Sequence, residues 1–178
     1  MRRLFERGAA VPREVLQRAR LARGERVLAR ASSDDGTWLL GTRDALVVVE
    51  PADTVRVPWE QVETADWDRD AGRLRVVEVG EFGRPRPVHT FAVPEPGVLL
   101  PMVRERVTAS VLLTRRVPVS GRNGLLVIAR RPPRGTGEIT WAYELDPGLD
   151  PDDPAVQSAA AEGLRAAQAE LGLAPDTG

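Results

Sequence analysis

The sequence predicts an α+β fold that is mainly β: a seven-stranded antiparallel barrel capped by a helix, then a β-meander with a second helix. Seven short segments rich in Val, Leu and Trp follow one another, and turn residues rather than helices separate them. A long amphipathic segment comes directly after them. Consecutive short strands of this kind indicate an antiparallel meander that bends into a barrel or sandwich. The predicted strands are residues 26–32, 38–42, 45–50, 54–58, 62–68, 74–79 and 88–93.

The N-terminal segment, residues 1–24, predicts a short helix after a loosely ordered start, because residues 1–11 show no clear period. Pro12 suits the first helical position and Gly24 suits a C-terminal stop. From Val15 to Ala22, apolar residues recur at three- and four-residue steps. This apolar face is small, which favours packing on one end of the barrel over contact with a membrane or a partner.

Within the predicted sheet, residues 46–49 are apolar throughout, as in a strand that is covered on both faces. The connection 80–87 contains alternating Arg and Pro and predicts an exposed loop. The segment 97–114 then predicts the most regular helix of the chain, with an apolar stripe that needs a surface to cover. Pro101 is acceptable there, because the first helical turn has no intrahelical donor to lose.

The C-terminal extension, residues 117–178, predicts a β-meander and a helix packed on the domain of residues 25–116. Strands at 117–120 and 125–130 flank Gly121-Arg122-Asn123-Gly124, where Asn-Gly predicts a type I′ turn. Alternation over 139–145 predicts a half-buried strand. Asp153 is the expected N-cap of a helix over 154–171, and residues 174–178 predict a loose tail. The short connection at residues 115–116 leaves little freedom for an independent domain.

Composition excludes several classes of site. The chain has 178 residues and no cysteine, so thiolate zinc sites, iron–sulfur clusters and a cysteine nucleophile are excluded. All 25 basic residues are arginine, yet the net charge is -1, which argues against binding nucleic acid through bulk positive charge. No apolar run approaches the roughly 20 residues that span a bilayer. We therefore expect a cytoplasmic protein with no cofactor and no metal.

Two stretches resemble bacterial pleckstrin-homology-like proteins. Residues 38–49 place a turn of the Thr-x-Asp type between two apolar strands, and residues 57–62 end a strand before a polar and an apolar residue. The resemblance covers residues 25–116 and implies the barrel and its C-terminal helix. The family includes lipid, peptide and protein binders. Phosphoinositide-binding members carry a basic loop between the first two strands, whereas residues 32–36 are short and acidic here.

His89 is the single histidine and lies in the last predicted strand of the barrel. A general base or a metal ligand is one interpretation, but a lone strand histidine is more often structural or exposed. No Gly-x-Ser-x-Gly elbow is present. We expect no Ser, Asp or Glu to be arranged with it as nucleophile or orienting group. The aspartates of 146–153 are expected to form turns and a helix cap rather than a calcium loop.

Arginines provide the candidate binding site. Arg130, Arg131 and Arg134 fall in one loop, and a meander would bring Arg122 near them. Guanidinium groups bind phosphate in a bidentate manner, so these four are candidate anion-binding residues. A solvated loop is the alternative, since aromatic side chains for nucleic-acid stacking are scarce.

The sequence therefore favours a non-catalytic interaction module that binds a protein or peptide partner, with a lipid surface as a further option. An enzyme using His89 or a carboxylate is the alternative, and anion or nucleic-acid binding through the arginine loop is a weaker one. The absence of a recognisable catalytic or metal motif favours the interaction module over an enzyme.

Overall fold

The computed structural model describes residues 10–33 and 35–173, so the predicted loose tail and most of the predicted loose start lie outside the described residues. The described helices are α1 (Arg13–Ala19), α2 (Leu99–Ser110) and α3 (Pro154–Glu170). The strands are β1 (Ala29–Ser32), β2 (Trp38–Gly41), β3 (Ala45–Val49), β4 (Thr54–Pro58), β5 (Val62–Asp68), β6 (Arg73–Glu78), β7 (Val88–Ala92), β8 (Val111–Ser120), β9 (Asn123–Arg130) and β10 (Thr140–Leu145). The α+β, mainly β prediction is confirmed.

The seven predicted strands of the first unit (residues 25–110) are all present, but they form two antiparallel sheets. One sheet has the order β1-β2-β3-β4 and the other β5-β6-β7. Strand pairing does not continue from one sheet to the other within the described residues, so the expected closed barrel is not confirmed. A short 3₁₀ helix, Trp59–Gln61, turns the chain between them. Leu99 and Val103 of α2 are fully buried in one cluster with residues of both sheets.

Strand β3 is buried along its whole length, as its apolar run predicts. Leu46 and Val48 face the core between the two sheets. Val47 and Val49 lie on the opposite face and pack against Val15 of α1. The apolar run of β3 thus supplies two separate cores.

Helix α1 is shorter than predicted and lies elsewhere. It ends at Ala19, because Arg20 adopts a left-handed conformation with φ 45° and breaks the helix before Gly24. The helix covers the outer face of the first sheet rather than an end of a barrel. The Arg18 guanidinium donates to the Glu50 and Asp53 carbonyl oxygens and ties the helix to the β3–β4 turn.

Helix α2 ends four residues before the predicted end at residue 114. The chain passes from Ser110 directly into β8 at Val111. Residues 111–114 carry an apolar pattern that suits a helix face, but their pairing with β9 supplies interstrand hydrogen bonds and overrides that local preference. The domain boundary predicted between residues 116 and 117 falls inside this strand.

The second unit (residues 111–170) is a sheet of order β10-β9-β8, with α3 on one face. This meander and its helix match the prediction. Gly163 of α3 lies so close to β8 that an added Cβ would stand 2.5 Å from the Val117 side chain. The Asp153 carboxylate accepts from the Ala155 N–H at 2.7 Å, as expected of an N-cap.

The turn between β8 and β9 differs from the predicted Asn-Gly turn. Ser120 pairs with Asn123, so Gly121 and Arg122 are the two central residues. Gly121 has φ 56°, and Arg122 is not in the left-handed region, which is the pattern of a type II′ turn. Glycine at the first central position suits that turn, so the hairpin closes before Asn-Gly is reached.

Candidate functional site

Arg130 is a buried brace between the two units. Its guanidinium donates to the Val62 carbonyl at 3.1 Å, to the Ser110 hydroxyl at 3.0 Å and to the Glu63 carbonyl at 3.3 Å. Burial lowers the pKa of Arg130, against the opposing attraction of the Glu63 and Glu144 carboxylates. Only 4% of the residue is exposed. Its hydrogen bonds therefore hold β9 against β5 and the end of α2.

The other three candidate arginines differ in their surroundings. Arg134 is exposed and forms an ion pair with Asp44, with Nε 2.7 Å from Oδ1. Arg131 is half-buried, and Arg122 is exposed on the hairpin turn. The expectation that Arg122 lies near the others is wrong, because the β8–β9 register places it at the opposite end of β9 from Arg130. Anion binding by these arginines stays a prediction, and Arg122 and Arg134 are the exposed ones.

His89 has a carboxylate partner, so the expectation that no acidic group would be arranged with it is wrong. Its Nε2 lies 2.5 Å from Oε1 of Glu78, and 30% of the His89 side chain is exposed. Val76 is the register partner of His89, which places Glu78 two residues along the same face. Phe91 shares that face, its ring parallel to the imidazole with centroids 6.2 Å apart. No Ser, Thr or Tyr hydroxyl within the described residues is hydrogen-bonded to this pair.

The aspartates at the end of β10 serve as turn and cap groups. Asp146 accepts from the Arg116 guanidinium and, at 2.8 Å, from the Gly124 N–H. The hydrogen bond from Arg116 lowers the pKa of Asp146. Over residues 10–33 and 35–173, no three His, Asp or Glu side chains gather as they would around a metal ion.

An arginine-walled cavity lies on the outer face of the second sheet. Thr64, Val77 and Val88 are opposite one another on three adjacent strands and form its floor. Val77 is buried, whereas Val88 is 47% exposed. The cavity measures about 490 Å³. This cationic pocket is lined by Glu63, Thr64, Arg75, Val77, Arg84, Arg86 and Val88.

One wall of the cationic pocket is fixed by an ion pair whose carboxylate is buried. Val62 pairs with Glu78 and Thr64 with Val77, so Glu63 is the extra residue of a β-bulge. The Glu63 carboxylate lies 2.9 Å from Nε of Arg86, and only 5% of its side chain is exposed. Burial raises the pKa of Glu63, although the positive charge of Arg86 opposes the shift.

A second cavity adjoins the first and shares Arg84 and Arg86 with it. This loop groove, about 350 Å³, lies between the β6–β7 connection and the segment that follows β10. Phe82 and Tyr143 meet edge to face in it, with ring centroids 5.2 Å apart. Burial raises the pKa of the Tyr143 hydroxyl. The groove is lined by residues 80–84, 86, 143, 145–149 and 151.

The sequence indicates only some of the residues that line these two cavities. The Arg84-Pro85-Arg86-Pro87 run predicts an exposed loop, and Arg84 and Arg86 are indeed exposed. Arg75 carries no signal of its own, because it is one of several arginines in alternating strands. Strand register brings Arg75 beside that loop, and register is a tertiary property.

Comparisons of the chain with protein-family models, curated proteins and solved structures each found no match. Within the described part of the chain, no helix combines the length and apolar character needed to span a bilayer. The geometry of the two cavities is therefore the basis for a functional proposal.

Proposed function

We propose that this chain is a non-catalytic interaction module that binds a protein or peptide partner in the loop groove. The observation that carries the proposal is the aromatic pair Phe82–Tyr143 in an open groove beside Arg84 and Arg86. Aromatic and arginine side chains are enriched among the residues that dominate protein interfaces. Tyr143 is anchored in β10, and its backbone carbonyl accepts from Arg86 at 2.9 Å, which holds the two walls together.

We further propose that residues 25–116 adopt a pleckstrin-homology-like arrangement in a cytoplasmic protein. Four strands, three strands and a helix follow in that order, and α2 shares its buried cluster with both sheets. This order supports the likeness in layout, while the two sheets remain separate in their pairing. The likeness to this family also implies a lipid surface as a possible ligand. The loop groove offers aromatic and cationic groups that suit a lipid surface as well as a peptide.

An enzyme is the alternative that the His89–Glu78 pair favours. A carboxylate can orient an imidazole for proton transfer, but a general base also needs a substrate group within reach. The pair lies at the end of a strand face that otherwise builds the core, and His89 lines neither the cationic pocket nor the loop groove. Binding at these cavities needs no proton transfer, so the interaction module is the stronger proposal.

Selection from a phage-displayed library of random linear peptides on the full chain tests the proposal. We expect enriched peptides that bind in calorimetry, and at least about a tenfold loss of affinity in Phe82→Ala, because truncating an aromatic anchor removes central contact area. Leu112→Ala changes an exposed apolar residue of β8, is the matched control and should bind as the wild type.

Two results would contradict groove binding: no enriched peptide, or enriched peptides that bind Phe82→Ala unchanged. Amide chemical shifts give a readout that needs no variant. Peptide addition should move the resonances of residues 80–86 and 143–151 and leave those of α1 in place.

A further inference from the structure

We propose that the cationic pocket binds the carboxylate of an Asp or Glu side chain of the peptide held in the loop groove. This inference rests on the proposed function and deepens it, since it names the residue type that the partner must carry. Arg84 and Arg86 line both cavities, so the cavities adjoin and a side chain of a peptide in the groove can reach the pocket.

Arg75 supplies the first available charge. It is exposed on β6, and Asp66 and Thr90 are its register neighbours on β5 and β7. Within the described residues no ion pair or hydrogen bond engages its guanidinium, even though Asp66 lies opposite. A guanidinium with five free donors at the edge of a cavity matches a carboxylate in bidentate geometry.

Arg84 supplies the second charge. Its Nε is 3.3 Å from the Glu81 carboxylate, and the two side chains are 76% and 83% exposed. Such a pair contributes roughly 0–1 kcal/mol in water, so a ligand carboxylate can replace Glu81 at little cost. Arg84 is therefore available to a ligand despite its partner.

The negative charge of Glu63 does not offset the attraction of Arg75 and Arg84 for a ligand carboxylate. Its carboxylate is almost fully enclosed and is already neutralised by Arg86. Arg86 in turn is held by the Tyr143 carbonyl, which makes this wall rigid. The open side of the pocket thus presents guanidinium groups, although the chain as a whole carries a net charge of -1.

The floor suits the stem of an acidic side chain. Val88 is exposed and stands beside Val77 and Thr64 in one cross-strand row. The methylene groups of Glu can cover Val88 while the carboxylate reaches the arginines above it. The exposed Val88 favours Glu, whose two methylene groups can cover it, over phosphoserine, which has only one.

The test repeats the peptide selection on the wild type, on Arg75→Gln and on Arg73→Gln as the matched control from the same face of β6. Arg75 lines the cationic pocket but not the loop groove, so its replacement leaves the peptide groove intact. We expect wild type and Arg73→Gln to enrich peptides with Asp or Glu at one fixed position. Arg75→Gln should still enrich peptides, but without that preference.

A double-mutant cycle measures the contact between Arg75 and the acidic side chain of the peptide directly. Replacing the selected Glu of one peptide by Gln should weaken binding to the wild type about 10- to 100-fold, and should change binding to Arg75→Gln by much less. Enriched peptides without acidic preference would overturn the pocket inference and leave the groove proposal standing. No enriched peptide at all would overturn both. A phosphoserine peptide that binds more than tenfold tighter than its Glu counterpart would overturn the choice of carboxylate.

Discussion

Glu25 joins three neighbouring segments of the chain through one carboxylate. The Thr42 hydroxyl donates to it at 2.6 Å, Arg56 donates at 2.8 and 3.1 Å, and the Ala22 N–H donates at 2.9 Å. Burial by itself would raise the pKa of Glu25, but these hydrogen bonds and the charge of Arg56 outweigh it and lower the pKa to about 2. The ionised form is therefore the one that the fold stabilises.

The lowered pKa of Glu25 predicts a specific acid sensitivity. A carboxylate whose folded pKa lies below its unfolded value of 4.5 stabilises the fold above pH 4.5, and this contribution disappears as the pH falls toward 2. We expect about 2 kcal/mol from this residue, since Arg56 is partly exposed to water. Urea unfolding across that range should show a weaker pH dependence in Glu25→Gln. Glu105→Gln, an exposed change on α2, should follow the wild type; equal slopes for all three proteins would contradict the prediction.

Arg130 is the last residue of β9 rather than part of the predicted arginine loop, and it has a structural role that the sequence did not indicate. Replacing it with Leu leaves the Val62 and Glu63 carbonyls and the Ser110 hydroxyl without their donor. We expect a loss of about 2–4 kcal/mol in the free energy of unfolding, measured in urea. Arg134→Leu removes an exposed ion pair and should cost less than about 1 kcal/mol. Similar losses of unfolding free energy in the two variants would contradict this structural role of Arg130.

The burial of Arg130 affects any test of anion binding at the four predicted arginines. A variant that removes Arg130 would weaken the fold together with any binding. Replacing Arg122 and Arg134, the two exposed members, separates the effects. With a net charge of -1, we expect little retention of the wild type on heparin.

At the scale of elements, the close approach of α3 to β8 depends on the absence of a side chain at one position. A Cβ at Gly163 would lie 2.5 Å from Val117 and 3.0 Å from Val127. Gly163→Leu should therefore force α3 away from the sheet and destabilise the chain by about 1–3 kcal/mol. Ala161→Leu adds the same side chain on the exposed face of α3 and should change stability by less than about 0.5 kcal/mol. Thermal unfolding of the two variants measures the difference.

Elements defined by strong local patterns were predictable, and elements defined by tertiary pairing were not. The apolar run of β3 and the Asp153-Pro154 start of α3 each carry their signal within a few residues. The end of α2 was missed because residues 111–114 suit a helix face as well as a strand, and only β9 decides between them. The cationic pocket was missed for a similar reason, since Arg75 lines one cavity with Arg84 and Arg86 only when β6 and β7 are paired.

At the scale of the whole molecule, polar interactions link the two units. Besides Arg130, the Gln61 side chain donates to the Thr140 hydroxyl at 3.0 Å, and Arg86 donates to the Tyr143 carbonyl at 2.9 Å. The direct passage from α2 into β8 leaves no linker between the units. These interactions predict that the two units stabilise each other.

A chain that ends at Ser110 tests this mutual stabilisation. It keeps the first unit but lacks the second, including the arginine that occupies the Val62 and Glu63 carbonyls. We expect its melting temperature to fall by roughly 4–8 °C for each kcal/mol of stabilisation that the second unit provides. Circular dichroism of both chains measures the shift. A truncated chain that melts at the same temperature as the full chain would count against packing of the extension.

The order of the strands has a consequence for how the protein assembles while it is being synthesised. Each described strand pairs with a strand next to it in sequence, so every sheet can close soon after its last strand leaves the ribosome. Docking of the units is different, because Arg130 reaches back 68 residues to Val62. Until β9 emerges from the ribosome, water rather than Arg130 donates to the Val62 and Glu63 carbonyls of the first unit. Formation of the sheets and their docking should therefore be separate events in time, with docking last.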